Sequence, residues 1–163
     1  MPEHVLKDVI ISSTKVRQAI INGQMEVANH FLGYEYFFEG VIISGNKLGR
    51  TIGYPTANIQ INDEEKLIPG NGVYVVTVKI DNIKYQNNIF GGMMNIGMRP
   101  TVGGTQRTIE INIFDFDDNI YHQKIRVYVK QYLRGEIKFG NLENLKQQLK
   151  TDKRNALTIL QTG

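Results

Sequence analysis

Residues 73–80 read Val73-Tyr74-Val75-Val76-Thr77-Val78-Lys79-Ile80, and Asp81-Asn82 follow. Side chains alternate between the two faces of a strand, so Tyr74, Val76, Val78 and Ile80 share one apolar face. The stretch predicts a strand and then a turn at Asp81-Asn82, with Ile83, Tyr85, Asn87 and Ile89 continuing as the antiparallel partner. The same period returns at Ile109, Ile111 and Ile113, before a turn at Asp117-Asp118-Asn119, and again at Ile125, Val127 and Val129. Short strands with closely spaced turns and no βαβ alternation predict an antiparallel barrel or sandwich.

Helical patterns flank these strands. Ser12, Ser13 and Thr14 offer N-cap oxygens, Val16, Ala19 and Ile20 recur at helical spacing, and Gly23 marks a stop. A second short helix is expected over Met25–Phe31, closed by Gly33. Near the other end Asn141 can cap a helix with Leu142, Leu145 and Leu149 along one stripe. Thr151-Asp152 is a point where that helix could break or restart before Ala156, Leu157 and Leu160.

Composition narrows the class of protein. A chain of 163 residues, 41% hydrophobic and 21% charged, suits one domain with a short appendage and buries enough surface to fold without a staple. The absence of cysteine removes disulfides, thiolate metal sites and cysteine nucleophiles together, and fits a reducing compartment. The net charge of +3, from 19 basic and 16 acidic residues, is too mild to imply a nucleic-acid surface. No apolar run approaches the ~18 residues of a membrane span. The expectation is a cytoplasmic globular protein with no nucleic-acid or membrane partner.

The chemistry concentrates in Gly45-Asn46-Lys47-Leu48-Gly49-Arg50-Thr51-Ile52-Gly53-Tyr54-Pro55-Thr56-Ala57-Asn58. Gly45, Gly49 and Gly53, four apart, let a backbone bend closely around an anion, while Lys47 and Arg50 add positive charge. The same residues also suit a glycine-rich hairpin with ordinary surface cations. It is not a Walker loop, because no Gly-Lys-Ser/Thr closes it. Thr56 and Asn58 point to one face of an extended backbone and offer two hard neutral oxygens. Mg²⁺ accepts such ligands when phosphates and waters complete its octahedron, although a Thr and an Asn after proline also cap turns.

Glu110 lies on the strand face opposite Ile109 and Ile111, alongside Thr108 and Asn112. It is a candidate general base or metal ligand, or a solvated strand glutamate. Asn95-Ile96-Gly97-Met98-Arg99-Pro100-Thr101, followed by Gly103-Gly104, reads as a loop, either a mobile lid or a plain connection. Arg134 and Glu136 either pair with each other or present a guanidinium and a carboxylate to a polar ligand. His4, His30 and His122 show no metal-ligand spacing.

Taken in order, these segments resemble the riboflavin kinase domain of the bacterial bifunctional riboflavin kinase/FAD synthetase family. Gly49-Arg50-Thr51-Ile52-Gly53-Tyr54-Pro55-Thr56-Ala57-Asn58 resembles its most specific motif. Gly72-Val73-Tyr74, Asn95 to Thr101, Glu110 before Phe114-Asp115-Phe116, Tyr121, and Arg134-x-Glu136-x-Lys138-Phe139 follow in the family's order. The resemblance implies a mainly β fold, a six-stranded antiparallel Greek-key-like barrel over residues 34–163 with a C-terminal helix. It further implies transfer of the γ-phosphate of ATP to the riboflavin 5′-hydroxyl, giving FMN and ADP. Under it Thr56 and Asn58 would hold Mg²⁺, Glu110 would accept the hydroxyl proton, and Gly45, Lys47, Gly49, Arg50 and Gly53 would surround the nucleotide phosphates. Asn95, Gly97, Arg99 and Thr101 would belong to a flap, and Arg134 and Glu136 would lie near the flavin.

Two departures accompany the resemblance. Ile11-Ser12-Ser13-Thr14-Lys15-Val16-Arg17 is similar to the segment closing the family's adenylyltransferase domain, which makes residues 1–33 a short helical remnant of it. The His-containing nucleotide-binding motif of that domain is not among the 163 residues, so this chain is expected to make no FAD. His122 stands where the family often has glycine, with little consequence expected. The contrasting possibility is a non-catalytic flavin- or nucleotide-binding module on the same barrel.

Overall fold

The computed structural model describes residues 13–46 and 52–162. Strands β1 (Phe37–Asn46), β2 (Thr56–Gln60), β3 (Gly72–Ile80), β4 (Phe90–Thr101), β5 (Gly104–Ile113) and β6 (Lys124–Arg134) close into a barrel in the order β1-β2-β5-β4-β3-β6. Every neighbouring pair is antiparallel, and the chain crosses over between β2 and β3 and between β5 and β6. Closure leaves no sheet edge to be covered. Helices α1 (13–21), α2 (Met25–Leu32) and α3 (Leu142–Thr162) lie outside the barrel.

The period-two stretches supply its interior. Tyr74, Val76, Val78 and Ile80 join Ile109, Ile111 and Ile113 and Ile125, Val127 and Val129 in one buried cluster. Ala19, Ile20, Met25 and Ala28 of α1 and α2 belong to the same cluster, so the two helices pack on the barrel core. Gly23 (φ +78°) and Gly33 (φ +79°) end them in the left-handed conformation expected at a helix C-terminus. Ser12, one of the expected caps, lies outside the described residues. Asn29 fastens α2 to β6 by donating from Nδ2 to the Val129 carbonyl at 2.9 Å.

Two local expectations need correction. Residues 83–89 do not pair with β3. Asn82 Oδ1 accepts from the Lys84 backbone N–H at 2.9 Å and caps a short 3₁₀ turn over Ile83–Tyr85. Tyr85 then stacks edge-on with Phe90 and Phe116, and the partner strand begins at Phe90, opposite Val78. Ile83 and Ile89 are left 83% and 68% exposed, so their alternation carries no buried face.

The segment 95–104 is likewise no loop. Strands β4 and β5 stay paired out to Thr101 opposite Gly104, and the chain reverses through Val102-Gly103, with Gly103 at φ +86°.

Helix α3 runs unbroken through Thr151-Asp152. Asn141 Oδ1 accepts from the Asn144 N–H at 2.8 Å, as a capping side chain should. Its apolar stripe covers the outer face of the sheet, where Val75, Met93, Phe114 and Ala156 form a second cluster with Leu149, Ile159 and Leu160. Asp152, at the point where the helix could have broken, anchors it. Arg134 donates from Nε to both carboxylate oxygens at 3.0 Å and from Nη2 to Oδ2 at 2.7 Å.

Candidate active site

The polar face of three adjacent strands forms the site beneath α3. Glu110 on β5 lies opposite Asn58 on β2 and opposite Asn95 on β4, so the carboxylate has an amide on either side. Neighbouring strands are about 4.8 Å apart, which places all three side chains within reach of one small ligand. Thr56 follows two residues before Asn58 on the same face.

Hydrogen bonding orients these groups. Asn58 donates from Nδ2 to Ser44 Oγ at 2.7 Å, which turns its oxygen away from β1. Asn112, buried beside Glu110's face, donates from Nδ2 to the Pro55 carbonyl at 2.6 Å and fixes the approach to Thr56. Thr56 Oγ1, Asn58 Oδ1 and Asn95 Oδ1 are buried with no hydrogen-bond partner among the described residues. Buried polar atoms are ordinarily satisfied, so three unpaired oxygens around one carboxylate mark a place prepared for a ligand. The oxygens of Thr56 and Asn58 are neutral and hard, a donor set that suits Mg²⁺ carrying phosphate ligands.

Two cavities meet at this point. One, of about 100 Å³, is lined by Tyr54, Thr56, Asn95, Glu110, Arg134 and Leu149. The other, of about 520 Å³, is lined by Ile42, Thr56, Ile113, Phe116, Ile120 and Tyr121. Thr56 belongs to both. A groove of about 600 Å³ near Lys79, Asp81, Lys124 and Arg126 has a different character. Both Lys124 and Arg126 there are paired with Glu39, at 3.1 and 3.2 Å, and those contacts hold the Glu39 carboxyl below its ordinary range.

Of the expected phosphate-binding residues, Gly45 lies near the end of β1 and Gly53 on the connection to β2. Gly45 pairs with Ala57 and Asn46 with Thr56, so this connection leaves the barrel at the Thr56 end. Gly53 turns within it at φ +88°. Lys47, Gly49 and Arg50 lie outside the described residues.

The four residues assigned to a flap separate. Asn95 is in the cavity wall, Thr101 is at the hairpin end, and Arg99 donates from Nη1 to Glu136 Oε1 at 3.1 Å. Gly97 lies directly under that carboxylate: a Cβ there would meet Glu136 Oε1 at 2.0 Å. Arg134 and Glu136 therefore do not pair with each other. Arg134 lines the small cavity with its guanidinium held by Asp152, whereas Glu136 is outside its lining.

Sequence reasoning passed over Ser44 and Asp152. A lone serine in a strand carries no signal until β1 is paired with β2, and Asp152 is revealed only by the docking of α3.

His122 takes φ +68°, a conformation that glycine adopts more readily.

The chain is similar to known proteins in sequence and in fold. The riboflavin kinase family model, Flavokinase, matches residues 32–160. A bifunctional riboflavin kinase/FMN adenylyltransferase of Haemophilus influenzae is 42% identical over 142 residues, covering 87% of this chain and 44% of that protein. The Bacillus subtilis protein of the same description is 38% identical over 154 residues, covering 93% of this chain and 47% of its own length. The chain thus spans about half the length of these curated relatives. A solved Streptococcus pneumoniae structure described as a macrolide-efflux protein superposes with TM-score 0.78 at 39% identity, over 87% of this chain and 45% of that one. Among the described residues no helix is long and apolar enough to cross a membrane. The riboflavin kinase of Trypanosoma brucei shares the fold, with TM-score 0.54 at 21% identity over 77% of this chain and 79% of that one. On the match of its family model to most of its length, the chain belongs to the riboflavin kinase family.

Proposed function

We propose that this chain is a kinase that transfers the γ-phosphate of ATP to the 5′-hydroxyl of riboflavin. The observation carrying the reading is the placement of Glu110 beside Thr56 and Asn58, whose buried oxygens are unpaired, where two cavities meet. Phosphoryl transfer asks mainly for alignment of donor and acceptor and for stabilisation of spread negative charge. The larger cavity, walled by Ile42, Phe116 and Tyr121, suits the base of the nucleotide, and the cavity containing Glu110 suits the alcohol.

In the reaction the 5′-oxygen bonds to the γ-phosphorus while the bond from that phosphorus to the bridging oxygen breaks. ADP leaves with the electron pair, and the hydroxyl proton passes to the Glu110 carboxylate. Thr56 and Asn58 would hold Mg²⁺, which when bound neutralises charge on the phosphates. Gly45 and Gly53, with Lys47, Gly49 and Arg50 between them in sequence, would surround those phosphates. Arg134 and Glu136 are assigned to the flavin side, with Arg134 on the cavity wall and Glu136 paired with Arg99 of β4. The β4–β5 hairpin carrying Gly97, Arg99 and Thr101 takes the place of the flap.

Incubation with riboflavin, ATP and Mg²⁺ followed by chromatographic separation of the flavins tests the reading. FMN that forms only with both ATP and metal is the expected result. Flavin recovered bound but unreacted would favour a binding module instead.

A further inference from the structure

Asn95 has no part in the chemistry just described, yet it has a buried oxygen without a partner. Its position sets it apart from Asn58. Asn95 lies on β4 and Asn58 on β2, with Glu110 between them on β5, so two strand spacings, roughly 9–10 Å, separate their backbones. Thr56 and Asn58 supply the oxygens assigned to the metal, and Asn58 is two strands away from Asn95. Asn95 lines the cavity that also contains Thr56, Glu110, Tyr54, Met93 and Leu149.

That cavity, of about 100 Å³, brings Asn95 and Glu110 to one space between apolar walls. A carbonyl oxygen accepts hydrogen bonds only, and the donors that a polyol chain offers are its hydroxyls. Resting on the kinase reading, we propose that Asn95 Oδ1 accepts a hydrogen bond from an inner hydroxyl of the acceptor's side chain, which holds the terminal hydroxyl against Glu110. Asn95 is then a specificity-determining residue. It selects flavins whose chain bears a secondary alcohol close to the reacting end, because an acceptor without one leaves the buried oxygen unpaired.

The test compares riboflavin with a flavin whose N10 alkyl chain carries a terminal hydroxyl alone. The full chain is used with ATP and Mg²⁺. The unaltered protein should prefer riboflavin by about tenfold or more in kcat/KM, the effect of one hydrogen bond. Asn95→Ala should lose about that factor with riboflavin and little with the simpler flavin, so the preference shrinks to about threefold or less. Asn95→Ser provides a second variant, and quenching of flavin fluorescence without ATP or metal reads binding apart from turnover.

An unaltered protein that uses both flavins equally overturns the proposal with no variant needed. A preference retained in Asn95→Ala overturns it too, as does a raised Mg²⁺ requirement with the preference unchanged. Failure to phosphorylate or bind riboflavin at all would remove the kinase reading itself, a result distinguishable from a kinase that lacks the preference.

Discussion

Ser44 on β1 accepts the Asn58 side-chain amide at 2.7 Å, and this bond decides which end of that amide faces the site. With Nδ2 committed to the serine, Oδ1 is the end presented beside Glu110, buried and unpaired. Ser44→Ala should therefore weaken metal use without removing a ligand, raising the Mg²⁺ concentration for half-maximal activity several-fold while saturating metal restores turnover. Asn58→Ala should cost more and be only partly restored. A Mg²⁺ titration of both variants checks the order, and a loss in either that ignores metal concentration would indicate a structural role.

Glu110 is the one carboxylate in the row formed with Asn58 and Asn95. Glu110→Gln keeps the size of the side chain and removes its capacity to take the hydroxyl proton. Turnover is expected to fall by roughly 10²–10⁴-fold while flavin affinity changes little. Steady-state rates together with a fluorescence binding curve separate the two effects, and near-normal turnover would take Glu110 out of the base role.

Strands were legible where burial follows the alternation, as in Tyr74, Val76, Val78 and Ile80, because one face of the barrel wall must be apolar. The reading failed at Ile83 and Ile89, where the same alternation is solvent-exposed and a local cap from Asn82 determines the conformation. It failed again at 95–104. Glycine, proline and asparagine are turn residues by composition, but here Gly97 sits under the Glu136 carboxylate and Asn95 in the wall of the site, both within a paired strand. Thr56, Asn58 and Glu110 could be singled out individually from residue type. Their adjacency depends on β2 and β5 pairing across 52 residues of chain, which no local pattern encodes.

The pair Arg134–Asp152 fixes α3 over the site, with side chains 17% and 2% exposed. Asp152→Ala leaves the guanidinium in its mostly buried position without its anion and removes the acceptor that Gln148 Nε2 reaches at 2.9 Å. Loss of about 3–5 kcal/mol is expected in urea unfolding. The double variant Arg134→Met/Asp152→Leu should recover much of that loss, since two apolar side chains leave no unpaired charge. A double variant as unstable as the single one would show that packing, rather than charge, governs the site.

Two tyrosines make stability sensitive to alkali. Tyr36 donates to the Leu67 carbonyl at 2.6 Å and Tyr74 to the Gly70 carbonyl at 2.5 Å, tying down the connection between β2 and β3. Burial pushes both hydroxyls up to about 12, against about 10 in the unfolded chain. The folded state therefore keeps protons that the unfolded state gives up. Their contribution is fully present below pH 10 and is lost as the pH rises from 10 through 12, at up to about 1.4 kcal/mol per pH unit for each tyrosine. Tyr74→Phe should cost about 1 kcal/mol at neutral pH through the lost hydrogen bond, yet show a shallower decline above pH 10. Urea midpoints at pH 8, 10 and 11 for the two proteins measure the difference, and parallel declines would assign the alkaline sensitivity to other groups.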